Sequence, residues 1–435
     1  MSISLQREIK TIKKWAGIRP SGRVTHIIGL LIESAGPMVH LGELCYVYNR
    51  KGEGVPCEVV GFKEDKVLLM CLGEMTMIAP GAEVYPTGEV LMIPVSEAMC
   101  GRVLDAMGNP IDGKGPIPIE KYYPVMSPPP HVLRRRLITE VLETGIKAID
   151  ATCTAGKGQR LGIFSNAGVG KSILLGMIAK TSTADINVIA LIGERGREVR
   201  EFIERDLGPQ GLARSVVVVV TSDQAALLRT KGAHAATAIA EYFRDMGKNV
   251  IFMMDSITRY AMALREIGLA VGEPPTTRGY TPSVFAMLPK LLERAGTSDK
   301  GAITGIYTIL VSADETNDPV ADTVRALLDG HIVLNRKLAS ANHYPAIDVL
   351  ESLSRVMVNI TTPEFYQRSS RLRNILQVYK EAEDLINIGA YVPGSNPQID
   401  EATRLIVRIR TFLKQGMNET FSIGETQKLL KEIVG

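Results

Sequence analysis

With 435 residues, the chain is longer than one hydrophobic core usually supports, so its length predicts two or three domains. Hydrophobic residues make up 45% of the sequence and charged residues 22%, which is typical of a folded soluble protein and excludes a disordered or fibrous one. Lys and Arg total 50 against 47 Asp and Glu, and a formal net charge of +3 gives no strong reason to expect a nucleic-acid partner.

The cysteines and histidines argue against a disulfide framework and against a zinc site. The five cysteines are odd in number, and none belongs to a CxxC pair. The six histidines show no metal-ligand spacing. The longest apolar runs are far shorter than the roughly 20 residues that a membrane-spanning helix needs. We therefore expect a protein of the reducing cytoplasm that is not integral to a membrane.

Residues 1–17 carry an amphipathic pattern. Apolar residues recur there at spacings of three and four with Arg and Lys between them, which predicts a short basic helix. The apolar residues are Leu5, Ile9, Ile12 and Trp15. Such a helix either contacts a partner or a membrane surface, or packs on its own domain, because so short a helix is rarely stable alone.

Two patterns follow one another along the next part of the chain. Residues 18–92 contain short β-branched runs punctuated by Gly and Pro, which predict a small barrel or sandwich. Residues 93–360 contain the chain's proline-rich segment, 124–136, which predicts an extended connection. Beyond that segment, apolar strand-like runs alternate with helical patterns, as in a parallel sheet covered by helices on both faces.

The C-terminal region, residues 361–435, has a helical pattern. One helix is predicted from Pro363 to Ile388, closed by Gly389, and another from Asp400 to Gln415, closed by Gly416. The region therefore predicts a helical domain after the sheet.

The segment Ser165–Ser172 has the pattern of a phosphate-binding loop. It follows the strand-like run LGIF and opens the helical run SILLGMIAK, which is the context that such a loop requires. We expect backbone N–H groups to face the phosphates, Lys171 to neutralise the β and γ oxygens, and the Ser172 hydroxyl to ligate Mg²⁺. The loop departs from the standard pattern at Ser165, where Gly is usual. The expected nucleotide-binding residues are Ala167, Gly168, Val169, Gly170, Lys171 and Ser172.

Two more acidic residues follow strand-like runs. Asp255 ends the run NVIFMMD and is expected to hold a water of the Mg²⁺ shell, although without the phosphate loop it would be interpreted as a helix N-cap. Glu194 and Arg195 follow the run INVIALIG at the same predicted sheet edge. There Glu194 would polarise the attacking water and Arg195 would contact the γ-phosphate; the alternative is a surface charge cluster.

Five motifs together resemble those of a known family. They are Ala167–Ser172, Gly193–Glu198, Asp255–Tyr260, Gly272–Pro275 and Pro345–Ser354. Over roughly residues 20 to 435 the chain resembles the ATP synthase catalytic subunits and, more closely, the ATPases of the type III secretion and flagellar export apparatus. The resemblance implies an α/β fold with a RecA-like phosphate-loop core, an N-terminal small β-barrel and a C-terminal helical domain.

The resemblance also assigns roles to individual residues. The hydrolysing subunits of the family carry catalytic motifs matched here by Lys171, Ser172, Glu194, Arg195 and Asp255. The non-catalytic ATP synthase subunit lacks the carboxylate at the position of Glu194, so this chain is expected to turn ATP over.

Four further residues, two arginines and two tyrosines, resemble residues near the nucleotide in this family. Arg259 matches an arginine near the phosphates, although it could equally brace the sheet. Arg355 matches the arginine finger that reaches into a neighbouring subunit's site. Tyr344 resembles the aromatic residue against which adenine stacks, and Tyr391 is a candidate for the opposite side of the base.

The resemblance, together with these site residues, implies a Mg·ATP-hydrolysing motor of a bacterial protein export apparatus, flagellar or injectisome, that works as a homohexamer. The resemblance also suggests its partners, which are a stator-like regulator, a central stalk protein, the export gate and chaperone–substrate complexes, at the inner face of the cytoplasmic membrane. The rival interpretations are a rotary ATP synthase catalytic subunit, a hexameric nucleic-acid translocase and a scaffold that binds nucleotide without turnover.

Overall fold

The computed structural model describes residues 21–311 and 318–435 and divides them into two compact units. One unit ends at Leu91 and also includes Ala270–Gly272, and the other contains the remaining described residues. The predicted helix over residues 1–17 lies outside the described residues. Among those described, no helix is long and apolar enough to cross a bilayer.

Within residues 21–91, six antiparallel strands form a closed barrel. Inward-pointing residues such as Ile32, Val59 and Leu69 form a hydrophobic core of the barrel's own. The prediction of a small barrel is therefore confirmed, and the sandwich is excluded. The strands are β1 Gly22–Ile28, β2 Leu31–Ala35, β3 Glu43–Tyr48, β4 Gly54–Lys63, β5 Lys66–Cys71 and β6 Glu83–Val90.

The second unit contains the remaining strands. They are β7 Met92–Val95, β8 Val103–Leu104, β9 Lys121–Pro124, β10 Val141–Leu142, β11 Ala155–Gly156, β12 Arg160–Ser165, β13 Ile186–Glu194, β14 Ser215–Thr221, β15 Asn249–Asp255, β16 Gly296–Thr297, β17 Ala302–Leu310, β18 Gly330–Leu334 and β19 Ile347–Ser354. β7 pairs with β9, and β10 pairs with β11. The predicted extended connection holds the end of β9 and a short 3₁₀ turn, Val132–Arg134.

The main sheet of this unit runs in the order β19-β18-β12-β17-β15-β13-β14-β8, with β16 beside β17. Along this order, pairs from β18 to β8 are parallel and β19 is antiparallel to β18. β13, β14 and β15 are buried over almost their whole length, because helices cover both sheet faces. The parallel sheet predicted from the alternating pattern is confirmed.

The helices of the second unit connect these strands and cover them. They are Lys147–Thr152, Lys171–Thr181, Gly196–Glu201, Gly208–Ala213, Ala226–Asp245, Ile257–Ala270, Pro282–Leu292, Pro319–Leu327, Arg336–Ser340 and Met357–Ile360, with a π-helical turn at Phe202–Leu207 and a 3₁₀ turn at Thr277–Gly279.

Residues 361–435 form three helices, one more than the sequence pattern predicts. They are Pro363–Asn387, Pro397–Leu413 and Ile423–Val434. The second helix begins before the predicted Asp400 because the Asn396 side chain caps it and Pro fits its first turn. The third helix has a sequence signal that we did not use, a capping box between Ser422 and Glu425. The predicted domain limits at residues 18, 93 and 361 stay predictions.

One glutamine ties the C-terminal helices to the nucleotide-binding core. The side-chain oxygen of buried Gln415 accepts a hydrogen bond from the N–H of Lys147 at 2.9 Å. Its side-chain amide donates to the carbonyl oxygens of Gly145 and Glu419 at 2.7 and 2.9 Å. Its backbone N–H donates to the carbonyl of Tyr344 at 2.9 Å. Three separate segments of the chain therefore meet at this residue, around Gly145, Tyr344 and Gln415 itself.

We predict that Gln415→Leu destabilises this unit, because the buried N–H of Lys147 and the buried carbonyl of Gly145 both lose their partner. Each such group costs about 1 to 3 kcal/mol, so the free energy of unfolding should fall by about 2 to 6 kcal/mol in urea titrations followed by circular dichroism. The matched control is Gln377→Leu, since Gln377 is exposed on a helix and bonds only Glu381 in the described structure. Equal losses in the two variants would contradict the assignment.

Candidate functional site

The phosphate-binding loop leaves the carboxyl end of β12 and enters the helix Lys171–Thr181. Gly168 and Gly170 have φ of +77° and +91°, a left-handed conformation that side chains other than Gly rarely adopt. These two glycines turn the chain so that the loop leads into the helix N-terminus. The N–H groups there lack helical acceptors and carry a partial positive charge, which suits phosphate oxygens.

A cavity of about 430 Å³ lies beside this loop. Five of the six predicted loop residues line it. The exception is Val169, whose side chain is 2% exposed and packs in the hydrophobic core, so that only its backbone faces a ligand. The lining residues of the loop are Ala167, Gly168, Gly170, Lys171 and Ser172.

Lys171 lies between two carboxylates at the base of the cavity. Its ammonium group contacts Oδ1 of Asp255 and lies 3.9 Å from Oε1 of Glu194. Asp255 is the last residue of β15 and Glu194 the last of β13, two adjacent parallel strands, so the sheet brings both carboxylates to one edge. The structure therefore places together the lysine and both acidic residues identified from the sequence.

The carboxylate of Glu194 is unusual because it is buried and hardly compensated. Burial raises the pKa of Glu194 to about 7; nearby Asp255 adds to the rise, and Lys171 opposes it. Oε1 of Glu194 has no hydrogen-bond partner among the described residues, and neither does Nε of neighbouring Arg259. A Cβ atom added to Gly193 would lie 2.9 Å from Cβ of Arg259, so this arginine packs directly beside the end of β13. Buried polar groups without partners at a cavity are available to a ligand.

The donor set at this edge fits a hard divalent cation. Ser172 and Asp255 both line the cavity and offer a hydroxyl and a carboxylate, the oxygen ligands that Mg²⁺ prefers. Among the described residues, the hydrogen bonds to Asp255 reach only Oδ1. Its second oxygen is therefore left for a cation or for water bound to one.

Arg195 lies at the rim of the cavity rather than at its base. Its side chain is 76% exposed and pairs with Glu198 at 3.2 Å. Its side chain lines the cavity but makes no hydrogen bond or ion pair with Lys171, Glu194 or Asp255 in the described structure. Its partner Glu198 belongs to the surface charge cluster that is the alternative interpretation of this part of the sequence.

The two tyrosines that we expect to contact adenine lie in different places. The ring of Tyr344 lies against the phosphate loop, because a Cβ atom added to Gly170 would be only 3.6 Å from it. Tyr344 is also 43% exposed, so part of its side chain is accessible to a ligand. Tyr391, in contrast, lines a separate cavity with Asp400, and its hydroxyl donates to that carboxylate at 3.0 Å. The structure does not bring Tyr391 to the loop, because its side chain bonds within the turn that precedes the second C-terminal helix.

A different residue follows the segment that bonds the backbone of Tyr344. The N–H of Gln415 bonds the Tyr344 carbonyl at 2.9 Å, and Met417, two residues on, is 54% exposed. An exposed methionine has no strong sequence signal, so only the chain path shows its neighbourhood with Tyr344.

Arg355 lies at the opposite edge of the sheet from its own phosphate loop. It follows the last residue of β19, whose partner Gly330 begins β18, and its N–H donates to the carbonyl of Asp329 at 3.0 Å. Across the sheet, Arg355 is two strand spacings of about 4.8 Å from the strand that carries the loop, and along the strands it is some four residues, at about 3.3 Å each, from the loop. Together these give a distance on the order of 15 Å. An arginine side chain does not span that distance.

Several residues in or beside the cavity carry no clear sequence signal. Thr308 of β17 donates a hydrogen bond to Asp255 at 2.7 Å, and a threonine within a strand is ordinary. Phe202, Arg205 and Asp206 line the cavity from the π-helical turn. Such turns often occur at functional sites, but no pattern in the sequence predicts them.

We predict that Glu194→Gln changes how stability depends on pH in the metal-free, nucleotide-free chain. The folded-state pKa of about 7 lies above the ordinary value of 4.5, so the folded state binds this proton more tightly, and the parent chain loses stability as the pH rises between those values. The variant lacks that loss. Its thermal midpoint relative to the parent should therefore rise over about pH 5 to 7 and level off above.

Scanning calorimetry in EDTA across this pH range measures the difference. Glu204→Gln is the control, because Glu204 is 61% exposed and pairs with Arg200 on the surface. A difference that stays flat with pH for Glu194→Gln would contradict the raised pKa.

Three family models match the chain, one for each region of the fold. The ATP synthase alpha/beta family, nucleotide-binding domain, matches residues 145–354. The ATP synthase alpha/beta family, beta-barrel domain, matches residues 24–88, and the T3SS EscN ATPase C-terminal domain matches residues 361–432.

Curated relatives and solved structures agree with these matches. The flagellum-specific ATP synthase of Bacillus subtilis is 54% identical over 422 residues, 95% of each chain. The type 3 secretion system ATPase of Xanthomonas euvesicatoria is 49% identical over 434 residues, 100% of this chain and 98% of the relative. The solved structure of the assembled ATPase EscN from the enteropathogenic E. coli type III secretion system is 44% identical, with a TM-score of 0.90 over 95% of this chain and 100% of that chain.

EscN has also been solved in complex with its central stalk EscO, and that chain matches with a TM-score of 0.88 and 43% identity over 95% of this chain. The barrel, the parallel sheet and the C-terminal helices thus correspond to one architecture, as the sequence resemblance implies. The chain belongs to the ATP synthase alpha/beta family and, within it, to the ATPases of flagellar and type III secretion systems.

Proposed function

We propose that this chain is the Mg·ATP-hydrolysing motor of a bacterial type III protein export apparatus, flagellar or injectisome, and that six copies assemble into a ring. One observation carries the proposal: a single chain holds a phosphate loop with two buried carboxylates at one sheet edge and a candidate arginine finger at the other edge. Identical copies can therefore complete each other's sites.

ATP would bind with its phosphates against the loop. The N–H groups at the start of the helix Lys171–Thr181 would donate to phosphate oxygens, and the ammonium group of Lys171 would move from Asp255 to the β and γ oxygens. Mg²⁺ held by Ser172 and Asp255 would, when bound, neutralise the charge on the β- and γ-phosphates. Asp255 then exchanges one cationic partner for another, so that its buried charge stays compensated.

Glu194 is the residue that we assign to the attacking water. Its buried Oε1, which has no hydrogen-bond partner among the described residues, can accept a proton from a water held at the γ-phosphate. A carboxylate with a raised pKa is a stronger base than an exposed one. Arg259 lies beside it with an unpaired Nε, and Arg195 would swing inward from the rim to meet the γ-phosphate.

The adenine base would stack on Tyr344. The ring of Tyr344 lies next to Gly170, which is where a base would lie when the phosphates occupy the loop. We assign the opposite side of the base to Met417 rather than Tyr391, because Met417 follows the segment that bonds the Tyr344 backbone and its thioether side chain adapts to flat ligands.

In the proposed ring, each Arg355 would lie at the neighbouring copy's site. Its distance from its own loop excludes action within the same chain, whereas its exposed side chain is free to approach a second copy. A guanidinium group there would stabilise charge that develops on the γ-phosphoryl group.

The proposed partners follow from the family. EscN has been solved with its central stalk EscO, and we propose an equivalent stalk protein here. A stator-like regulator, the export gate and chaperone–substrate complexes complete the set, at the inner face of the cytoplasmic membrane. The segment 1–17 is the candidate contact to the regulator or to the membrane.

We predict that Lys171→Ala and Glu194→Gln fail at different steps. Lys171→Ala should lose both hydrolysis and most ATP affinity, because the phosphates lose their main side-chain cation. Glu194→Gln should bind ATP within a few-fold of the parent and hydrolyse it about 10² to 10⁴ times more slowly, since an amide cannot take the proton. Phosphate release and fluorescent-nucleotide binding measure the two properties. Glu204→Gln is the surface control, and parent-like turnover in Glu194→Gln would refute the assignment.

We predict that Arg355 acts in trans. Arg355→Ala should bind ATP nearly normally, still assemble, and hydrolyse about 10³ to 10⁵ times more slowly. Mixing it with Lys171→Ala tests the direction of action, because in a mixed ring an intact loop meets an intact Arg355. Partial activity should return, and Arg371→Ala, an exposed arginine paired with Glu401, should behave like the parent.

The mixed assemblies are confirmed by native mass measurement before the activity is interpreted. Absence of recovery in confirmed mixed rings would overturn the proposal that Arg355 acts in trans.

A further inference from the structure

A buried threonine on β17 shares the carboxylate oxygen that Lys171 contacts. The hydroxyl of Thr308 donates to Oδ1 of Asp255 at 2.7 Å, and Thr308 is fully buried. The same hydroxyl lies 3.3 Å from the carbonyl of Met254. A hydroxyl has one proton, and the shorter contact to a charged acceptor takes it.

The position of this hydroxyl is set by the sheet itself. β15 and β17 are parallel neighbours, with Met253 opposite Ile306 and Met254 opposite Tyr307, so that Asp255 and Thr308 continue the same register. A β-branched side chain in a strand has few rotamers. Thr308 therefore presents its hydroxyl to Asp255 from a rigid position, whereas the contact from Lys171 comes through a long, flexible side chain.

The two donors differ in what happens to them when nucleotide arrives. Under the proposed function, Lys171 leaves Asp255 for the phosphate oxygens. Thr308 is fully buried, and its other acceptor among the described residues is the Met254 carbonyl at the longer distance of 3.3 Å. It is then the side chain, among those described, that still fixes the orientation of the Asp255 carboxylate.

We propose that Thr308 is a positioning residue, which holds Asp255 so that its second oxygen faces a divalent cation in the nucleotide complex. The inference rests on the proposed role of Asp255 at the cation. Residues that orient a metal ligand typically contribute 10- to 100-fold to metal affinity. Thr308 acts through Asp255 and need not touch the nucleotide.

The test compares Thr308→Val, which removes the hydroxyl but keeps the shape, with Thr308→Ser, which keeps the hydroxyl. The readouts are Mn²⁺ affinity of the complex with a non-hydrolysable ATP analogue, followed by electron paramagnetic resonance, and affinity for the same analogue in EDTA. Thr308→Val should weaken Mn²⁺ binding about 10- to 100-fold, leave metal-free nucleotide affinity within about two-fold, and regain most of its turnover at high metal. Thr308→Ser should stay close to the parent.

Thr304→Val is the matched control, because Thr304 is buried on the same strand and its hydroxyl accepts from the N–H of Gly158 at 2.8 Å, away from Asp255. It should lose stability without losing Mn²⁺ affinity. Where Thr308→Val does not fold, Thr308→Ala provides the same comparison.

Asp255→Asn separates failure of this inference from failure of the proposed function. Weak Mn²⁺ binding in Asp255→Asn together with parent-like binding in Thr308→Val overturns the role of Thr308 alone. Parent-like binding in both variants overturns the cation role of Asp255 and the inference with it. An equal loss of metal-free nucleotide affinity in Thr308→Val would also overturn it, since that pattern indicates general damage to the site.

Discussion

The charge balance among Lys171, Asp255 and Glu194 is the constraint on which the rest of the site depends. Three ionisable groups lie at the base of one cavity, each of them largely shielded from water. Two carboxylates that share one cation at low dielectric are costly to keep ionised, and the raised pKa of Glu194 expresses that cost. A nucleotide with its cation would replace this arrangement with a better compensated one, because Lys171 gains phosphate oxygens and Asp255 gains a divalent partner.

The order of strands explains why these groups meet. β12 carries the loop, and β17 and β15 follow it, so the hydroxyl of Thr308 lies between the loop and the carboxylate of Asp255. β13 comes next and ends at Glu194. β19 runs antiparallel, which brings Tyr344 near the loop at its start and carries Arg355 to the far edge at its end. One antiparallel strand thus separates two of the candidate site residues, with Tyr344 at the edge that holds the loop and Arg355 at the other edge.

The C-terminal helices belong to the site as well as to the fold. Residues from all three contribute to the same hydrophobic core as the helix that follows the phosphate loop. Gln415 bonds both the core at Lys147 and the backbone of Tyr344, so the side of the cleft assigned to adenine is anchored to the helical region. The position of Tyr344 and the placement of these helices are therefore connected through one buried residue.

The loop and the two acidic residues that follow strands could be predicted from the sequence alone, because a strand, a glycine turn and a helix N-terminus are local features of adjacent residues. The parallel sheet and an all-β first domain could be predicted in the same way, since side-chain periodicity is local, but the choice of a closed barrel over a sandwich depends on how the strands pair. Which distant side chains meet is known only from the folded chain: Tyr344 but not Tyr391 lies at the loop, the side chain of Val169 is buried, and Arg355 lies at the opposite edge. The contact of Thr308 with Asp255 is of the same kind, because it exists only through the pairing of their two strands. No local pattern predicts which strands pair when their residues are some 50 apart in the sequence.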